Sequence, residues 1–171
     1  GSTHEATWKV IKKHDFLSGM YIWTGFDYIG EPTPYEWPSV SSYFGIVDLA
    51  GFPKDVYYMY QSEWTDKTVL HIFPHWNWKV GQTVDVWAYY NNADEVELFL
   101  NGKSVGLQSK KGDDLHIMWK VPFQSGTLKA ISRKDGKVVK ETEIKTAGNP
   151  SKLELTADRN TIKADGNDLS F

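Results

Sequence analysis

Between residues 71 and 78 lie His71, His75, Trp76 and Trp78, side chains able to ligate a metal or to stack. Two imidazoles four residues apart share a face only on a helix, where they could hold a divalent ion. Pro74 between them breaks a helix at that point, so the metal reading is poor and no metal site is expected. The indoles leave two readings: an exposed aromatic platform, or a junction in which Pro74, Trp76 and Trp78 pack against Trp64 and the helix that carries it. The junction is the expectation. The sequence holds no cysteine, which removes disulfides, thiolate metal sites and cysteine nucleophiles together. No cofactor is expected.

Composition narrows the partners. The 171 residues carry 19 Lys+Arg against 22 Asp+Glu, a net charge of -3 that offers no basic footprint for a phosphate backbone, so nucleic acid is not an expected partner. Mean hydropathy is -0.47, and no apolar run approaches the roughly 20 residues that a membrane span requires, so no membrane partner is expected. Among 8 Trp, 9 Tyr and 8 Phe, only Phe99, Trp119, Phe123 and Phe171 lie beyond residue 90. The chain therefore reads as an aromatic-rich first half joined to something different. Gly1-Ser2 looks like a cloning remnant, and no signal peptide is visible, so a native targeting segment is expected to be absent or lost.

Several elements would have to position these side chains. Ser2 with Glu5 has capping-box spacing and Lys12-Lys13-His14 form a basic end, predicting a helix over 3–14. Met20 to Trp23 is a continuous apolar run between Gly19 and Gly25, predicting a strand buried on both faces. Residues 27–51, with Pro32, Pro34 and Pro38, predict a long ordered loop of the kind that usually carries function. A second helix is predicted from Pro53 to about Asp66, its stripe formed by Val56, Tyr57, Tyr60 and Trp64.

Beyond Thr65, alternation predicts strands near 68–73, 83–90, 95–100, 103–108, 114–121, 126–133 and 137–145. Val96, Leu98 and Leu100 point one way, and Asn101-Gly102 supplies the two positive φ angles of a type I′ hairpin, with Asp135-Gly136 as a second tight turn. Seven short strands predict an immunoglobulin-like sandwich with Trp87 and Trp119 as core fillers. After Gly148-Asn149-Pro150, Lys152 to Ala157 predict a further strand, and Asp168 to Phe171 the beginning of another.

The runs YIWTGFDYIGEPTPY at 21–35, FGIVDLAGFPKD at 44–55 and LHIFPHWNW at 70–78 resemble bacterial β-galactosidases of glycoside hydrolase family 2. The resemblance implies a mainly β chain: an Ig-like β-sandwich preceded by the terminal α/β portion of a (β/α)8 barrel. Residues 3–66 would end the catalytic barrel, 67–147 would form the sandwich, and 148–171 would be the truncated start of a further bacterial Ig-like domain.

The implied whole protein is a retaining exo-β-galactosidase hydrolysing terminal β-D-galactosyl residues of oligo- or polysaccharides, its carbohydrate substrate being a β-galactoside. Such enzymes use two Glu carboxyls about 5 to 5.5 Å apart. Both belong to earlier barrel strands, and the sequence contains no Asn-Glu dipeptide of the acid/base kind. Ser62-Glu63 falls in the predicted last helix and reads as a surface pair, so no catalytic residue is assigned and the chain alone is expected to be inactive.

What the resemblance carries over is part of the sugar-site wall at the mouth of the last barrel strand. Trp23 would form an apolar floor under the galactosyl ring, with a barrel-core aromatic as the alternative. Asp27 and Glu31 would accept bonds from sugar hydroxyls or orient the catalytic pair, with a solvated loop charge as the alternative for each. Tyr28, Tyr35 and Trp37 would line the cleft or pack the loop. Related β-glucuronidases carry an Asn-x-Lys before the Gly-Ile pair, and here those positions read Ser42-Tyr43-Phe44, with no cation for a uronic carboxylate. A neutral galactoside is therefore expected. The alternative function is a non-catalytic carbohydrate-binding or structural Ig-like module, with Trp76, Trp78 or Trp87 as the platform. Self-association of the truncated barrel segment and a periplasmic or extracellular location complete the expectations.

Overall fold

The computed structural model describes residues 3–168. Helix α1 (His4–Lys12) is capped by Thr3, whose Oγ1 accepts from the Ala6 amide at 3.2 Å. The expected cap, Ser2, lies outside the described residues. Lys9 and Lys12 occupy the last turn, where cations complement the helix dipole.

The buried strand expected at Met20–Trp23 does not form. Tyr21 is fully exposed and Trp23 is 75 % exposed. An apolar run becomes a buried strand only when neighbours take its backbone groups, and no sheet among the described residues includes this segment. Pairing begins just after it, where an isolated parallel bridge joins Phe26 to Val47. A two-residue antiparallel ladder then joins β1 (Tyr28–Ile29) to β2 (Ser41–Ser42), so the expected long loop is closed on itself.

Helix α2 (Asp55–Trp64) starts after Lys54, with Pro53 just outside it. Its buried residues are Met59, Tyr60 and Ser62, whereas Trp64 is 44 % exposed, so the expected stripe is rotated toward Met59. Met59 and Tyr60 meet Tyr89 and Leu115 of the sandwich, with Trp8, Ile22, Val56 and Phe73 around them. Burying Met59 alone is worth about 1.5–3 kcal/mol relative to exposure.

The sandwich strands fall close to their predicted places: β3 (Leu70–Phe73), β4 (Thr83–Tyr90), β5 (Glu95–Leu100), β6 (Lys103–Gln108), β7 (His116–Pro122), β8 (Thr127–Lys134) and β9 (Lys137–Lys145). They form one antiparallel sheet in the order β3-β4-β7 and a second in the order β6-β5-β8-β9. Alternation puts Val84, Val86 and Ala88 of β4 and Ile117, Trp119 and Val121 of β7 inward, opposite Val96 and Leu98 of β5 and Leu128 and Ala130 of β8. Asn101 and Gly102 have φ of 51° and 79°, and Asp135 and Gly136 have 50° and 73°, the positive pairs that a type I′ turn demands.

Trp119 fills the core as expected, but Trp87 does not. Trp87 lies on the other face of β4, stacked on His116 at 3.8 Å between ring centroids. Trp76 takes the core position at 1 % exposure, its indole N–H donating to the Gln124 carbonyl at 3.0 Å. The strand expected over 152–157 is also absent. Leu153 and Leu155 are both 98 % exposed, because no neighbouring strand covers them among the described residues. Of the strand start expected at Asp168–Phe171, residues 169–171 lie outside the described residues.

Candidate functional site

The loop of residues 28–43 is gathered at a neck where backbone meets backbone. Asp27 N donates to Val47 O at 2.9 Å, Val47 N to Gly25 O at 3.0 Å, Ile46 N to Thr24 O at 3.1 Å and Thr24 N to Phe44 O at 3.3 Å. So close an approach needs a residue without a Cβ. A Cβ on Gly45 would stand 2.2 Å from Asp27 N and 2.3 Å from the Phe26 carbonyl carbon.

Asp27 sits inside this neck with its carboxylate turned inward. Its Oδ1 accepts from the Gly45 amide at 2.8 Å and from Lys54 Nζ at 2.7 Å. Lys54 also donates to the Tyr43 carbonyl at 3.0 Å. The expectation that no cation stands beside Ser42-Tyr43-Phe44 is therefore corrected: Lys54 arrives from the following element, and its ammonium is already paired with Asp27. The Pro-Lys-Asp run at 53–55 was the available signal, because it ends the motif that begins at Phe44.

Glu31 lies on the exposed side of the loop, with φ of 37°, and accepts from the Tyr28 hydroxyl at 3.1 Å. Trp23 stands at the entrance to the neck and borders a hollow with Tyr21, His4, Thr7 and Tyr60. The structure thus brings Asp27 to Gly45 and Lys54, and Glu31 to Tyr28, rather than joining Trp23, Asp27 and Glu31 to one another. Tyr35 packs edge-on against Tyr43 at 4.9 Å, while Trp37 at the tip is 88 % exposed.

The histidines go to different neighbours. His71 Nε2 lies 2.8 Å from Asp55 Oδ1, and its ring stacks on Tyr58 at 3.8 Å. His75 stacks on Trp78, whose indole N–H donates to the His75 carbonyl at 2.7 Å. The junction is therefore built by His71 and Phe73 against α2, and not by Trp76 and Trp78 against Trp64. A coplanar platform of Trp76, Trp78 and Trp87 is not formed, because Trp76 is interior and Trp87 lies against His116.

Sequence reasoning missed the polar clasps of this junction. Glu5 accepts from the Tyr89 hydroxyl at 2.8 Å and meets His116 Nδ1 at 2.9 Å. Burial, reinforced by the Glu5 carboxylate, pushes the Tyr89 hydroxyl far up. Glu63 is no surface residue, since it accepts from Trp8 Nε1 at 2.9 Å and Lys12 Nζ at 2.7 Å. Burial opposes its charge, but the Lys12 ammonium and the Trp8 N–H overcome that and hold its carboxyl below the usual range. Ser62 is buried and donates to the Met59 carbonyl. The surface pair expected there is therefore a link between α1 and α2.

Residues 81–140 match the family described as Domain of unknown function (DUF4982). The chain is 66 % identical over its whole length to the Bacteroides ovatus protein named Beta-galactosidase BoGH2A, of which it covers 20 %. It is 45 % identical over 157 residues to a putative β-glucuronidase of Formosa agariphila, spanning 87 % of this chain and 15 % of the relative. Among solved structures, a β-glycosidase from Bacteroides vulgatus superposes with a TM-score of 0.80 and 37 % identity, over 95 % of this chain and 21 % of that one. A glycosyl hydrolase family 2 member from Bacteroides cellulosilyticus gives 0.81 and 34 %, over 97 % and 26 %. The chain thus spans a fifth or less of the two curated relatives.

Proposed function

From the premise that this chain belongs to glycoside hydrolase family 2, we propose that it forms part of the sugar-site wall of a retaining exo-β-galactosidase acting on terminal β-D-galactosyl residues. The observation that carries this is the motif around Trp23, in a segment 66 % identical to a protein named a β-galactosidase, with Thr24 beside Trp23 tied to Phe44 and Ile46 by the backbone neck. An exposed indole suits the C–H face of a pyranose, and the outward carboxylate of Glu31 suits its hydroxyls. Asp27 stands behind them. The two catalytic Glu residues lie outside this chain.

Residues 3–66 are read as the end of a catalytic barrel, 67–147 as a brace of Ig-like form, and 148–171 as the start of another module. Galactoside rather than glucuronide is supported by the pairing of Lys54 with Asp27. With that ammonium engaged, a desolvated uronic carboxylate at this wall would go unpartnered, at a cost of several kcal/mol. The burial of Trp76 speaks against a carbohydrate-binding platform on the sandwich. Exposed Tyr21, Trp23 and Phe26 support self-association of the isolated chain, read by sedimentation, and a periplasmic or extracellular location would be read by cell fractionation.

The test is a panel of aryl glycosides with the full-length enzyme and its Trp23→Ala variant. The expected result is preference for the β-galactoside and a fall of about 10²-fold in kcat/KM on substitution, the scale of a lost aromatic floor of ~3 kcal/mol. Faster hydrolysis of the glucuronide, or an unchanged Trp23→Ala enzyme, would overturn the reading. The repurified 171-residue chain should hydrolyse nothing.

A further inference from the structure

The Asp27 carboxylate is placed as a device for holding the loop, and its geometry argues against a role as a ligand. Its side chain is almost wholly enclosed, and the same oxygen takes both the Gly45 amide and the Lys54 ammonium. Gly45 belongs to the outgoing limb of the loop, Asp27 to the incoming limb, and Lys54 to the residue before α2. One carboxylate therefore ties together three stretches of chain that are far apart in sequence. Lys54 extends the tie through the Tyr43 carbonyl, and its own amide donates to Ile46 O at 2.9 Å.

A charge-assisted bond of this kind is about twice as strong as a neutral one. Trp23 lies four residues before Asp27 and Glu31 four residues after it, so the chain passes from one to the other through the tied point. We propose that Asp27 and Lys54 form a positioning lock: Asp27 acts on the substrate only through the placement of Trp23 and Glu31, and Lys54 is its obligatory partner. The role of Trp23 and Glu31 in sugar contact rests on the reading given under Proposed function, whereas the lock itself does not.

The experiment compares Asp27→Asn, Lys54→Met, the double variant and Lys54→Arg. Amide hydrogen exchange is read on the 171-residue chain, and aryl β-galactoside kinetics on the full-length enzyme. The expected result is at least tenfold faster exchange at Gly45 and Val47 in Asp27→Asn and in Lys54→Met. The double variant should be no worse than either single variant, Lys54→Arg should largely restore protection, and Val86 and Leu98 should stay unchanged as reporters of an intact sandwich. In the enzyme, kcat/KM should fall by the same factor, tenfold or more, in both single variants and the double variant.

Unchanged neck exchange with lost activity in Asp27→Asn alone would make Asp27 a direct ligand and overturn the lock. Additive losses in the double variant would overturn it equally. Faster neck exchange with unchanged kinetics would uphold the lock and overturn the sugar-wall reading. If Asp27→Asn loses sandwich protection, Lys54→Met with its Lys54→Arg rescue decides the question.

Discussion

Replacing Gly45 by alanine should open the neck. The new methyl carbon would lie 2.2 Å from Asp27 N, 2.3 Å from the Phe26 carbonyl carbon and 2.6 Å from Val47 O, and all three are backbone atoms that cannot rotate away. Moving the limbs apart far enough forfeits the bonds Thr24 N to Phe44 O, Ile46 N to Thr24 O, Asp27 N to Val47 O and Val47 N to Gly25 O. At about 1 kcal/mol each the loss is about 4 kcal/mol, close to a thousandfold in local opening. Gly25, on the facing limb, is the control, because an added Cβ there meets nothing within 4 Å. Gly25→Ala should be neutral or stabilising by about 0.4–1 kcal/mol through the unfolded chain. The assay is exchange of the Asp27 and Val47 amides by NMR. If Gly45→Ala keeps both within threefold of the parent, the close-approach argument is wrong.

Three further perturbations test other joints. Asn91 Oδ1 accepts from Val69 N at 2.7 Å, and its Nδ2 reaches the carbonyls of Ser62, Thr65 and Lys67, so Asn91→Ala should cost about 1–3 kcal/mol in urea unfolding; a change below about 0.5 would deny it a role in joining α2 to the sandwich. The Glu63 carboxyl is more acidic folded than unfolded, so its contribution is complete above the ordinary value of 4.5 and is lost as pH falls through the lower folded value. Denaturation midpoints of Glu63→Gln should accordingly drop less than those of the parent below pH 4.5, and parallel curves would refute the linkage. Leu98, fully buried in β5, should lose about 2–5 kcal/mol on truncation to alanine, read by thermal unfolding.

The sandwich was legible because its causes are local. Alternation in 83–90 and 95–100 and the dipeptides Asn101-Gly102 and Asp135-Gly136 state both face and turn within a few residues. The failures share the opposite property. Whether Met20–Trp23 or Lys152–Ala157 becomes a strand depends on a neighbour elsewhere in the chain, and composition carries no record of that neighbour. Trp87 and Trp76 exchanged their expected roles for a related reason. Trp87 falls on the outward phase of β4, between inward Val86 and Ala88, which the alternation already implied. Trp76 lies outside every strand, so no periodicity marks it. The motif singled out Trp23, Asp27 and Glu31 as candidates, but it did not state the direction of the Asp27 carboxylate. That direction is set by Lys54, 27 residues away.

The closed neck has a consequence for how this region can change. Entry and exit of the loop are fixed by Asp27, Gly45 and Lys54, while Trp37 and its prolines lie at the far end, in contact chiefly with solvent. An exchange among residues 36–38, beyond the Tyr35 ring that packs on Tyr43, is absorbed before it reaches the tied point. The tip is thus an interchangeable cassette on a constant socket, and diversification or grafting there can revise what the protein touches without asking the rest of the chain to refold.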